Sequence, residues 1–247
     1  MGKIKGTFAK TYDSFIKRPS LLPAGLLELV RTTKPKSVVD FACGTGNVAV
    51  GLSLEGYDVT GVDYSPDMLR VARAKAREYK SDTRFIIGDI AKVDLGRKFD
   101  LLLCTGNSIP HFTKQRDLRR LLVNCKRHLA PRGRLIFQQL NYDRMLKEGS
   151  GTFAIESGED GVIRIKQSRF SRGMAEFFIT IVDSRKVPPG ISTTKRAIKP
   201  WLKAELIEAL QEAGFIRIRA LGRYNNEPFT LKSKDLILIA SSKESYK

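Results

Sequence analysis

Three aspartates in the first 90 residues stand where they could do chemistry. Asp40 closes the run Ser37-Val38-Val39-Asp40-Phe41 just ahead of the turn Ala42-Cys43-Gly44-Thr45-Gly46-Asn47. Asp63 ends Gly61-Val62-Asp63-Tyr64-Ser65, and Asp89 ends Ile87-Gly88-Asp89-Ile90. Glycines in such a turn let the backbone approach a ligand with no Cβ in the way. A glycine turn alone would also fit a dinucleotide site, but Ala49 stands where the third glycine of that fingerprint would fall. An acid beside the turn suits an ammonium group, met directly or through water. Asp63 can accept hydrogen bonds from two ribose hydroxyls. Asp89 is placed for an adenine amino group, with Ile90 as an apolar wall or backbone contact. Singly, each acid reads as a helix cap or a surface charge; together, at the ends of successive strands, they describe a site for a cationic, phosphate-free nucleoside.

Further candidates follow the next strand. Asn107, in Thr105-Gly106-Asn107-Ser108, ends the fourth strand facing the place where a second reactant must sit, and reads as a ligand contact ahead of a turn-forming asparagine. His111 has two readings, a contact to the bound molecules or a structural histidine. Tyr224, in the loop Tyr224-Asn225-Asn226-Glu227-Pro228-Phe229, either faces the site or packs. Cys104 reads as core, Cys43 as a turn neighbour with no needed reactivity, and Trp201 as packing. Tyr12 and Phe15 read equally as an aromatic lid or as anchors for the N-terminal segment.

Alternating elements must position these residues. Strands are expected at Ser37–Phe41, Tyr57–Val62, Thr83–Ile87, Phe99–Cys104 and Arg134–Leu140. Helices are expected at Leu21–Val30, at Val48–Leu54, after Ser65-Pro66, and along the stripe Leu118, Leu121, Leu122, Cys125, Leu129. This is the α/β order of a parallel sheet wound on both faces. After Gly149 the period falls to two: Gly161–Arg169 and Met174–Val182 read as antiparallel strands joined at Ser171-Arg172-Gly173. A helix at Pro200–Ala213 and strands at Phe215–Leu221 and Leu236–Ala240 complete the chain.

The layout resembles the class I S-adenosylmethionine (SAM) dependent methyltransferases. Phe99 to Phe112, with Gly106-Asn107-Ser108 followed by His111, is similar to the fourth-strand motif of the glycine/sarcosine N-methyltransferases, as is Asn141-Tyr142-Asp143 after the fifth strand. The resemblance implies a Rossmann-like, seven-stranded sheet in a single domain, 1–247. It implies an N-terminal helical lid segment, 1–36, and an antiparallel insertion, 150–199, over the active site. It implies SAM as cofactor and S-adenosylhomocysteine (SAH) as product, held by Asp40, Ala42, Cys43, Gly44, Gly46, Asp63, Tyr64, Asp89, Ile90, Thr105 and Asn107. Asn107 and Asn141 would position the acceptor, with His111 and Tyr224 beside it, and no metal is required. The family's substrate-binding arginine has three candidates, Arg164, Arg169 and Arg172. The acceptor would be a small amine, glycine- or sarcosine-like. Basic residues of the insertion (Arg164, Lys166, Arg169, Arg172, Arg185, Lys186) would suit a carboxylate on it.

The chain has 247 residues and 44 Lys+Arg against 26 Asp+Glu, a net charge of +18. That excess keeps an RNA methyltransferase in play. Yet the charge is spread along the whole chain, Lys75 among the residues assigned to outer helix faces, and it reads first as solubility or heat resistance. No Asn/Asp-Pro-Pro-aromatic motif and no Pro-Cys nucleophile is present. A partner subunit that binds SAM without catalysis fits poorly with the intact acid set. Three scattered cysteines, no signal segment and no long apolar run lead to an expected cytoplasmic protein with reduced thiols.

Overall fold

The computed structural model describes residues 21–157 and 161–242; Tyr12 and Phe15 therefore lie outside the described residues. Five parallel strands form the centre: β1 (Ser37–Phe41), β2 (Asp58–Asp63), β3 (Arg84–Ile87), β4 (Phe99–Cys104) and β5 (Leu129–Leu140). With β10 (Phe215–Leu221) and β11 (Asp235–Ser242) they make one sheet ordered β10-β11-β5-β4-β1-β2-β3, where β11 runs antiparallel to both its neighbours. The strand order reverses between β1 and β4, which opens the crevice where ligands of open α/β sheets collect.

Helices cover both faces. Alternate residues of each central strand feed opposite cores, as a period of two requires. Val38, Leu101, Leu103, Ile136 and Ile237 pack with α1 (Leu26–Thr33) and α2 (Asn47–Leu54). Val39, Leu102, Phe137 and Leu238 pack with α4 (Gln115–Arg127) and α6 (Lys203–Glu212). Between α2 and α4 lies α3 (Pro66–Glu78), begun by Ser65, whose Oγ accepts from Met68 N at 3.3 Å, with Pro66 at its first position. Three elements depart from their expected bounds by three residues or more. The first helix starts at Leu26, because Pro23 closes a turn (Leu26 N to Pro23 O, 3.0 Å) and Gly25 sits at φ 80. Leu129 belongs to β5, since α4 ends at Arg127 and Pro131-Arg132-Gly133 kinks the strand where its register to β4 slips. The last helix begins at Lys203, after Pro200 and a buried Trp201.

Between β5 and α6 the chain leaves the main sheet. A two-turn helix, α5 (Tyr142–Glu148), leads into an antiparallel sheet of β6 (Gly151–Ser157), β7 (Val162–Ser171), β8 (Met174–Asp183) and β9 (Gly190–Ile198). The insertion thus has four strands where the sequence shows two. Arg172 and Gly173, at φ 49 and 73, form the two-residue hairpin turn between β7 and β8. One face of this sheet, through Ala175, Phe177 and Ile198, packs on Tyr142 and Met145 of α5.

Candidate active site

The glycine turn between β1 and α2 is built from left-handed backbone: Ala42, Gly44 and Gly46 have φ of 57, 56 and 77. At Gly44 an added Cβ would meet nothing within 4 Å, so the φ is what favours glycine there. At Gly46 the reason is close packing, because a Cβ would fall 2.8 Å from Phe85 Cζ and 2.9 Å from Ala72 Cβ. Lys75 is not on the surface as its charge suggested. It is 5% exposed and its ammonium donates to Thr45 O at 2.9 Å and to the Asn47 side chain, pinning the turn to α3.

Asp63 ties the turn to β2. Its Oδ2 accepts from Gly44 N and its Oδ1 from Ser65 N, both at 2.9 Å. Burial raises its pKa, against the lowering effect of the backbone donors at Ser65, Gly44 and Tyr64. The carboxylate keeps lone-pair capacity for a ribose hydroxyl. Asp40 is buried too, and no donor reaches its carboxylate among the described residues. Burial, then the neighbouring charge of Asp63, pushes its pKa to about 8. The same burial and the same two acids raise Cys43, which makes it a poor thiolate.

Asp89 lies exposed beyond β3, its Oδ1 accepting from Ala91 N at 3.0 Å. Of the two readings of Ile90, apolar wall or backbone contact, its side-chain position favours the second. Its side chain turns into the core, where burial is favourable, and its carbonyl accepts from Asn124 Nδ2 at 2.9 Å.

On the other side of the crevice Gly106 and Asn107 also take left-handed backbone, φ 76 and 62. Gln138 Oε1 accepts from both their amides, at 2.8 and 3.2 Å, while its Nε2 donates to Asp235 at 2.9 Å. The Asn107 side chain accepts from Leu140 N at 3.0 Å and exchanges hydrogen bonds with the Tyr142 hydroxyl at 2.9 and 3.1 Å. Gln138 and Tyr142 are the members of this network that the sequence reading missed. Two amides in the otherwise apolar run Leu135–Leu140 were the available signal, since buried polar groups need partners. Thr105 accepts from Ser108 Oγ at 3.2 Å and shapes the same turn.

Asn141 does not face this crevice. It is fully buried, its Oδ1 capping α5 through Arg144 N (3.0 Å) and its Nδ2 meeting the carbonyls of Thr230, Leu231 and Ser233 at 3.2, 3.4 and 2.8 Å. Both amide hydrogens are spent on the β10–β11 loop, so the geometry gives Asn141 a tethering duty in place of a substrate contact. Tyr224 packs against the α1 side of the core, with Gly25 under its Cβ. Burial, then Asp235, Asp40 and Cys104, raise its hydroxyl pKa, so it sits within reach of the acid side.

His111 ends a 3-10 turn, Ile109–His111. Its side chain is exposed, and the surrounding protein, then the charge of Arg196, lowers its pKa. Of the three arginines considered from sequence, Arg164 lies on the same face of the insertion as Phe177 and Arg169 on the opposite one. Arg164 is buried beside Glu156 at 3.7 Å, Arg169 pairs outward with Glu176 at 2.5 Å, and Arg172 sits at a hairpin tip. Lys166 pairs with Glu156 at 2.5 Å and Arg185 with Asp183 at 2.8 Å.

The arrangement fits SAM. A buried acid with no donor among the described residues matches an ammonium group, an oriented carboxylate at the end of β2 matches a ribose diol, and the glycine backbone lies open between them. Fold and turn are those of the class I SAM-dependent methyltransferases, and the chain belongs to that family. Residues 38–133 match the family described as methyltransferase domain. The chain is 30% identical over 213 residues to the glycine/sarcosine N-methyltransferase of Parasynechococcus marenigrum (strain WH8102), covering 81% of this chain and 70% of that protein. It is 29% identical over 236 residues to a dTDP-4-amino-2,3,4,6-tetradeoxy-D-glucose N,N-dimethyltransferase of Saccharopolyspora spinosa, covering 87% and 92%. A SAM-dependent methyltransferase structure from Clostridium acetobutylicum ATCC 824 superimposes with a TM-score of 0.82 at 20% identity, covering 96% of this chain and 98% of that one. The enzyme uses SAM as its methyl donor. No helix among the described residues is long and apolar enough to cross a membrane.

Proposed function

We propose that the chain methylates the amine nitrogen of a small molecule. The observation that carries this reading is the coupling of the crevice floor to the antiparallel sheet. Asn107 is locked to Tyr142, and Tyr142 packs on Phe177 of β8 with ring centroids 6.1 Å apart. The insertion then roofs the acceptor side as one unit with its floor, and a roofed recess selects a small acceptor over a polymer. The curated relatives support an amine: one is named for glycine and sarcosine, the other for an amino sugar.

SAM supplies an activated sulfonium methyl, which a nitrogen lone pair displaces in line. The chain's own task is placement and exclusion of water. Asp40 and Asp63 hold the cofactor's ammonium and ribose, with Ala42, Cys43, Gly44 and Gly46 as backbone contacts, Tyr64 and Asp89 nearer the nucleoside, and Thr105 with Asn107 facing the acceptor. His111, its pKa below the ordinary value, is neutral at pH 7. It can take the proton that an ammonium acceptor must lose before it has a lone pair to offer. Of the expected lid segment, 1–36, residues 1–20 lie outside the described residues, and Leu26–Thr33 packs in the core as α1.

The test is transfer of labelled methyl from SAM to a panel of small amines, alcohols and carboxylates, with products identified by mass spectrometry. N-methylated product is expected. Label appearing only on oxygen or sulfur would contradict the proposal.

A further inference from the structure

We propose that Arg196 anchors an oxyanion, carboxylate or phosphate, carried by the methyl acceptor. The inference rests on the reading above, in which the acceptor enters between the crevice and the antiparallel sheet. Three observations lead to it.

The first is register. On β8 and β9, Ala175 stands opposite Ile198 and Phe177 opposite Arg196. Directly opposed residues share a face. Ala175, Phe177 and Ile198 are the residues that pack on Tyr142 and Met145. Arg196 therefore belongs to the face turned toward Tyr142, one pair beyond the apolar contact.

The second is anchoring. Just past the end of β9, Lys199 N donates to Pro110 O at 2.9 Å, and Trp201 Nε1 donates to Phe112 O at 3.0 Å. These bonds fix Arg196 beside the turn that carries His111. Its charge lowers the pKa of His111 on the acceptor side and opposes the rise of Tyr64 on the cofactor side. The guanidinium thus acts on both sides of the crevice.

The third is charge pairing. Its neighbours are engaged: Lys195 and Arg169 with Glu176, Lys166 with Glu156, Lys199 with Glu205. No ion pair among the described residues includes Arg196, which is only partly exposed. A guanidinium cannot shed its proton, and a planar fork on a pinned strand is preorganised for a bidentate oxyanion. Arg196 was absent from the basic residues singled out by sequence because it lies on a strand that the alternation did not reveal.

The oxyanion could instead be the carboxylate of SAM, so the experiment separates the two sources. SAH affinity is measured by calorimetry on wild type, Arg196→Gln and Arg196→Lys. Acetate and inorganic pyrophosphate are then titrated into each SAH complex, and turnover is compared for sarcosine and N-methylethanolamine, in which a hydroxyl group replaces the carboxylate. We expect SAH affinity to change less than about twofold, and affinity for at least one anion to fall more than about tenfold in Arg196→Gln with partial recovery in Arg196→Lys. The preference for the carboxylated amine should vanish through KM. A comparable loss of SAH affinity in Arg196→Gln would assign the oxyanion to the cofactor and overturn the proposal. Unchanged anion affinity would overturn it as well. If no amine is methylated, the functional reading fails, while anion binding still decides the role of Arg196.

Discussion

Asp63 and Asp40 do different work at the same edge. Asp63 is held by backbone donors and keeps lone pairs for hydroxyls. A charged hydrogen bond of this kind is worth about 1.5–3 kcal/mol, so Asp63→Ala should weaken SAM binding by more than about tenfold. Unchanged affinity in a folded variant, by calorimetry, would remove Asp63 from the site. Asp40 has its folded pKa raised to about 8 from 3.8. A carboxyl shifted upward contributes stability at low pH, and that contribution is lost as pH rises toward the folded value. The cofactor-free enzyme should lose melting temperature as pH rises from about 4 to about 8 and level off above that, with a shallower loss in Asp40→Asn. A cationic ammonium reverses the preference, so SAM binding near pH 7 should release up to about one proton. Calorimetry in buffers of different ionisation enthalpy checks this, and a buffer-independent heat in wild type would contradict it. The acid set was legible because acids at three successive strand ends form a pattern. Asn107 was legible from its turn, but its lock to Tyr142 was not, because that contact joins residues 35 apart in sequence.

At the level of elements, the parallel strands were readable since buried strands appear as short apolar runs between turns. β6 and β9 were not. β6 shifts register between Thr152 and Ala154, which breaks its alternation, and β9 reads Ile191-Ser192-Thr193-Thr194-Lys195, with exposed residues on both faces. The α5 helix has 7 residues and buries only Tyr142 and Met145, too short a span for a helical period to show. Asn141 illustrates the consequence: a helix cap and loop tether looked like a ligand residue because it ends a strand at the right edge. Asn141→Ala should cost about 2–3 kcal/mol, from the lost cap and the buried carbonyls left short of donors. The melting temperature should then fall by roughly 5–10 °C. An unchanged melting temperature with a raised acceptor KM would return Asn141 to the substrate.

The whole molecule carries +18 charges, and many line its outer helices. On α4 a groove of about 500 Å³ is lined by Lys92, Arg116, Arg119, Arg120 and Arg127. Most of these cations face carboxylates: Arg120 lies 3.6 Å and Arg116 3.4 Å from Asp117, and Arg127 lies 3.3 Å from Asp94. A surface built to hold RNA would release counterions and show an affinity falling steeply with salt, by about one log unit per log of salt for each phosphate contacted. We expect weak RNA binding and no methylation of it. The account's central claim is that methyl groups leave SAM for a small amine, and one competition tests it. Enzyme is given labelled SAM together with the amine panel and purified tRNA, and the label is counted in each fraction. Label is expected to accumulate in the small-amine fraction while the tRNA stays at background. Turnover on tRNA exceeding that on every amine would contradict it.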